Sequence, residues 1–177
     1  MIDTTRKVIL YTGSPGVGKT TLVRQSIPRL QLLGARGFTT AEIREGNERL
    51  GFSISTLDGR EGVLAHISIS GNPRLGRYGI NLSDIEQLMV GEMEIALDKK
   101  CPLLADEFGA MEMNSANFAR LSLKVVDELP LVVGVVREKP HPICDQLKRF
   151  SGVQVIRVSR ENREQLRKGL LEYLDTL

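Results

Sequence analysis

A chain of 177 residues, 41% hydrophobic and 26% charged, has the length and composition of one soluble globular domain. Its 24 basic against 22 acidic side chains leave a formal charge of +2, too small a field to imply a nucleic acid or an anionic membrane as partner. Its longest apolar runs are about six residues, around Leu131–Val136, where a membrane span needs about 20, and nothing at Met1–Lys7 reads as a cleavable leader.

In chain order, Val8–Tyr11 is a short apolar run ending at Gly13, the pattern of a buried strand. Thr20–Leu33 reads as a helix with Leu22, Val23, Ile27, Leu30 and Leu33 on one stripe. Pro28 inside it predicts a kink or break, because proline lacks the backbone donor and clashes one turn back. Gly37–Arg44 predicts a strand turning at Glu45–Asn47. Leu50, Phe52, Ile54 and Thr56 then alternate with small polar residues, as do Val63, Ala65, Ile67 and Ile69, with a turn at Asp58–Gly62. Residues 37–70 therefore read as an inserted antiparallel meander.

Gly71–Leu82 reads as a loop. Ser83 and Glu86 have the spacing of a capping box before a helix carrying Ile85, Leu88, Met89, Met93, Ala96 and Leu97. Pro102–Ala105 predicts a strand ending in Asp106 and Glu107. Asn114 or Ser115 is expected to cap a helix to about Glu128. Leu131–Val136 and Val153–Val158 predict buried strands. His141, between Pro140 and Pro142, reads as a turn, and Ser159 as the cap of a last helix with Leu166, Leu170, Tyr173, Leu174 and Leu177 at helical spacing. Strands alternating with helices predict a three-layer α/β sandwich, mostly parallel, as one domain over residues 1–177. Its ligand is expected at the carboxyl ends of the strands.

Gly13, Ser14, Pro15, Gly16, Val17, Gly18, Lys19 and Thr20 match the phosphate-binding loop G-x-x-x-x-G-K-[ST] in full, between a strand and a helix. The glycines let the backbone N–H groups curl around phosphate oxygens, and the helix start adds positive charge. Lys19 is expected on the β- and γ-phosphates, the Thr20 hydroxyl on Mg²⁺, and Thr21 within the nucleotide site. Asp106 is assigned to Mg²⁺ and Glu107 to the attacking water. Asp106 and Gly109 also fit D-x-x-G, but no Asn-Lys-x-Asp follows to read guanine, so weak base selectivity is expected. Arg77, Arg137 and Arg163 are candidates for transition-state charge or for stacking on the base. Neither His66 nor His141 has ligand spacing to a cysteine or a second histidine, so no zinc site is expected.

These residues resemble a family, the small nucleoside-triphosphatases of the thermophilic-archaeal and cancer-related type. The resemblance is carried by Thr12–Leu22, Gly37–Arg44, Arg49–Phe52, Arg77–Gly79, Asp106–Glu112, His141–Pro142 and Glu161–Arg163, in order over nearly the whole chain. It implies a P-loop NTPase fold with an extra strand, here Leu131–Val136, between the P-loop strand and the Asp106 strand. It also implies Mg²⁺-dependent hydrolysis of ATP, GTP, CTP and UTP to diphosphate and phosphate. The chain departs from the family at Ala110, usually a lysine, and at Ala41, usually acidic.

Two other outcomes use the same loop. A nucleotide or small-molecule kinase needs an acceptor site and an arginine-rich lid, and residues 71–80 offer only Arg74 and Arg77. A triphosphate-gated binding module on RNA would want clustered basic and aromatic residues, which are missing. A cytoplasmic protein with reduced thiols at Cys101 and Cys144, monomeric or weakly oligomeric, is expected.

Overall fold

A computed structural model describes residues 2–177. Val8–Thr12 (β1), with all its residues but the last buried, lies one strand in from an edge of a sheet that has nine strands among the described residues. Parallel to it lie Val132–Val136 (β8) on one side and Val153–Arg157 (β9) on the other. Leu103–Phe108 (β7) and then Arg36–Glu45 (β2) extend the parallel set beyond β8. The extra strand thus lies where the resemblance placed it, between β1 and β7.

The meander continues the same sheet. Glu48–Thr56 (β3) and Glu61–His66 (β4) pair antiparallel outward from β2. It runs further than residues 37–70, for the expected loop at 71–82 contains a small hairpin. Arg74–Leu75 (β5) pairs with Tyr78–Ile80 (β6), and β6 pairs with β4. Its strands are too short for a period to show in the sequence.

Successive residues of β1 face opposite sides, and this divides the core in two. Val8 and Leu10 pack under Gly91–Lys99 (α4), Ala116–Glu128 (α5) and Pro142–Lys148 (α6). Ile9 and Tyr11 pack under Lys19–Arg24 (α1), Ile27–Leu32 (α2) and Arg163–Leu174 (α7). A fully buried valine, leucine or isoleucine in either layer contributes about 1.5–3 kcal/mol. The result is the expected three-layer sandwich. No helix among the described residues is long and apolar enough to cross a membrane.

Several local expectations are corrected. The helix over Thr20–Leu33 is two helices: α1 stops at Arg24, the residue whose carbonyl Pro28 would strike, and Ser26 donates its hydroxyl to the Val23 carbonyl at the break. Asn81, not Ser83, caps the next helix, accepting from the Asp84 N–H. That helix opens at Leu82–Asp84 (α3) and winds as a π-helix through Ile85–Val90 before α4. Glu86 is engaged instead by Ser115, which caps α5, and by Asn117 of α5. The turn at His141–Pro142 starts α6, with proline at its first position, where no donor is needed. Asn162 rather than Ser159 precedes α7, and the two bond each other, Ser159 N–H to Asn162 Oδ1 at 2.8 Å.

Candidate functional site

The loop after β1 is shaped by its neighbours. Gly13 has φ +139°, and a Cβ there would stand 2.6 Å from the Val158 carbonyl oxygen, so only glycine lets the chain leave the sheet at this point. Val17 packs against the core beneath α1, which anchors the crown of the loop. The Lys19 ammonium donates to the Gly13 and Ser14 carbonyls at 2.7 and 2.9 Å, and so lies over the loop's concavity.

Two carboxylates approach from β7. Asp106 is fully buried, and its Oδ1 accepts from the Thr20 hydroxyl at 3.2 Å. Its Oδ2 is buried without a hydrogen-bond partner. Burial, with Glu107 alongside, pushes its pKa up to about 7. An unsatisfied carboxylate oxygen beside a threonine hydroxyl is a hard-oxygen donor set of the kind a hydrated Mg²⁺ accepts, so the residues present fit that ion. Burial likewise raises Glu107, while Lys19 and Arg137 act the other way.

A third carboxyl, Glu112, ends the Asp106–Glu112 segment that carries the resemblance but was given no role from the sequence. It is 3% exposed, and burial followed by the Glu107 charge raises it to about 8. A Cβ at Gly109 would stand 2.7 Å from Glu112 Oε2 and 2.9 Å from Glu107 Oε1, so the two carboxyls flank one point and only glycine fits between them. The consequence for stability has a definite sign. The folded state holds Glu112's proton more tightly than the unfolded chain does, so stability falls as pH rises between the ordinary glutamate range and about 8. Glu112→Gln, neutral at every pH, is expected to melt above the wild type at pH 8.5 in Mg²⁺-free buffer and near it at pH 4.5. The gain is about 2–4 °C for each kcal/mol recovered. Melting curves at the two pH values check this, and equal shifts at both would refute it.

A cleft of about 590 Å³ lies between the loop and the meander. Pro15, Gly16, Gly18, Lys19, Thr20 and Thr21 line one side, and Thr40, Ala41, Glu42, Arg49 and Phe52 the other, with Glu107 and Arg24 between. Arg24 bonds the Thr39 hydroxyl and the Thr40 carbonyl at 3.3 and 3.1 Å, which ties α1 to the far wall. Sequence reasoning did not single out Arg24, although its place four residues after Thr20 puts both on one helical face.

The three candidate arginines part company. Arg137 directly follows β8 and shares a smaller hollow with Gly13, Pro15, Lys19 and Glu107. Arg163 opens α7 beside Gly18, in a pocket of about 230 Å³ that Thr21, Gln25 and Arg167 also line. Arg77 does not line the cleft. It donates to Glu48 at 2.9 Å and to the Arg49 carbonyl, and its guanidinium lies 5.4 Å from the Tyr78 ring centroid. The antiparallel pairing of β5 with β6 turns it toward the meander's outer end.

A model of the NTPase family matches residues 8–171. The nucleoside-triphosphatase THEP1 of Thermotoga petrophila is 40% identical over 166 residues, 94% of this chain and 92% of that protein. The cancer-related nucleoside-triphosphatase homolog of Mus musculus is 33% identical over 173 residues, 89% of this chain and 91% of its own length. The crystal structure of THEP1 from Aquifex aeolicus superposes with a TM-score of 0.84 at 32% identity, covering 95% of this chain and 98% of that one.

Proposed function

The chain belongs to the NTPase family and is a nucleoside-triphosphate hydrolase, and from that premise we propose that it is Mg²⁺-dependent, uses Glu107 to activate water and discriminates weakly among bases. One observation carries the reading: Glu107 lines the cleft beside Lys19, while the adjoining Asp106 joins Thr20 and keeps one oxygen unpartnered.

In this reading the loop N–H groups from Gly13 to Thr20 receive the phosphates, and Lys19 exchanges its carbonyl partners for β- and γ-phosphate oxygens. Thr20 and Asp106 would hold Mg²⁺. That ion, when bound, supplies positive charge against the phosphate oxygens. Glu107 accepts a proton from water as its oxygen bonds to the γ-phosphorus and the bond to the β–γ bridging oxygen breaks. Arg137, beside Glu107, works with Lys19 against the burial that favours the protonated carboxyl, and lies near the departing charge. Arg163 and Thr21 take the base and ribose side. A guanidinium face stacks on any base, which supports broad tolerance.

Phosphate release from ATP, GTP, CTP and UTP, with Mg²⁺ and with excess EDTA, tests the reading. Release from all four nucleotides that EDTA abolishes is the expected result. Release from one nucleotide alone would refute the weak selectivity, and full release in EDTA would refute the ion's role. A phosphotransferase reading has one observation in its favour, a hollow of about 200 Å³ in which Phe52, Leu64, Leu75 and Met111 adjoin Glu107. Phosphate release to water at full rate with no acceptor present would dispose of it.

A further inference from the structure

Hydrolysis of a triphosphate builds charge on the transferring group, and P-loop enzymes commonly meet it with an arginine. Of the three arginines marked in the sequence, Arg77 is held away from the cleft, Arg163 lines a separate pocket with Gly18 and Thr21, and Arg137 shares the Glu107 side of the loop. The wall opposite Lys19 carries another. Arg49, near the start of β3, lines the same cleft as Lys19, Thr20 and Glu107.

Arg49 is held ready rather than locked. Its Nη1 donates to Glu42 at 2.8 Å and its Nε to the Tyr78 hydroxyl at 3.0 Å. Its guanidinium lies over the Phe52 and Tyr78 rings, 4.9 and 5.6 Å from their centroids. A guanidinium has five N–H donors, so further donors remain for a phosphate. The side chain is 40% exposed, and can be reached from the cleft. Glu42 also pairs with Arg44 at 2.7 Å, so it keeps a counter-charge if Arg49 swings away. A triphosphate, carrying several negative charges, outcompetes one shared carboxylate for that fork.

We propose that Arg49 is the arginine this chain supplies in cis to the γ-phosphate, drawn from Glu42 across the cleft as the transition state forms. The proposal rests on the hydrolase reading. It makes Arg49 a catalytic residue, Tyr78 and Glu42 positioning residues for it, and a partner's arginine unnecessary. An in-line displacement spreads charge over three equatorial oxygens, which a planar fork meets better than an ammonium.

The test compares wild type, Arg49→Ala and Arg49→Lys by steady-state hydrolysis and by trapping of Mg-ADP with fluoroaluminate, a mimic of the transferring phosphoryl group. Arginines in this role contribute about 10³–10⁵-fold, so Arg49→Ala should lose about 10³-fold in kcat with KM little changed. It should bind Mg-ADP as the wild type does yet fail to trap fluoroaluminate, and Arg49→Lys should recover only part of either. Normal kcat and trapping in Arg49→Ala would overturn the proposal. Loss of Mg-ADP binding in both variants would overturn it too, since Arg49 would then be a strut of the meander. Trapping needs no turnover, so an inactive wild type would count against hydrolysis while the Arg49 comparison stayed readable.

Discussion

Glu107→Gln is expected to bind Mg-ATP as the wild type does and to release phosphate about 10²–10⁴-fold more slowly, the range a positioned general base supplies. The amide keeps the size and the half-buried position of the side chain but cannot accept a proton from water. Binding should survive because the groups around the phosphates, the loop N–H groups and Lys19, are untouched. The variant also removes a carboxylate whose charge raises both Asp106 and Glu112. Each should ionise at lower pH, so any change in affinity for the metal ion should be toward tighter binding. Single-turnover hydrolysis beside nucleotide titration separates the two effects. Full turnover in the variant would remove Glu107 from the role, and lost binding would make it a structural residue of the cleft.

Glu92→Ala is expected to lower folding stability by about 3–5 kcal/mol, the cost of removing one partner from a buried ionic group. Glu92 is fully buried on α4 and accepts from the Gly37 N–H at 2.8 Å and from the guanidinium groups of Arg36 and Arg60. Asp58 joins the cluster through Arg36 at 2.8 Å and Arg60 at 3.1 Å. Removing Glu92 leaves the Gly37 N–H without its acceptor and two cations sharing one exposed carboxylate. Because Asp58 still serves them, the loss should lie near the lower end, about 3 kcal/mol, or roughly 6–12 °C in Tm for a chain of this size. Glu94, exposed on the same helix, is the control, and its alanine variant should stay within about 0.5 kcal/mol of wild type. Equal losses from both variants would refute the clamp. The cluster joins α4 to the base of β2 and to the turn between β3 and β4, so the far wall of the cleft should loosen with it.

Much of this was legible in the residues. The phosphate-binding loop is eight consecutive residues whose function lies in their own backbone, so its chemistry is local and its motif is readable without a fold. Asp106 and Glu107 were legible because they follow a short apolar run at the end of a strand, where a parallel sheet presents its ligands. The meander showed through its period of two. The hairpin at Arg74–Ile80 did not, because strands of two and three residues carry no period, and α6 was hidden by the prolines that start it. Glu112 stood in the segment that carries the resemblance but had no role, since burial leaves no mark on a single side chain in the sequence.

The arginines divide the two kinds of knowledge most clearly. The sequence by itself determined a phosphate-binding loop and a pair of carboxylates at a strand end, the ones proposed for the metal and the water, because those groups are set by neighbours within a few residues. Only the tertiary structure decided that Arg77 faces Glu48 and that Arg49 lines the cleft with Lys19, Thr20 and Glu107. An arginine's reach is long and its direction is fixed by what pairs with it, and here the partners of both come from strands brought together by pairing across the sheet.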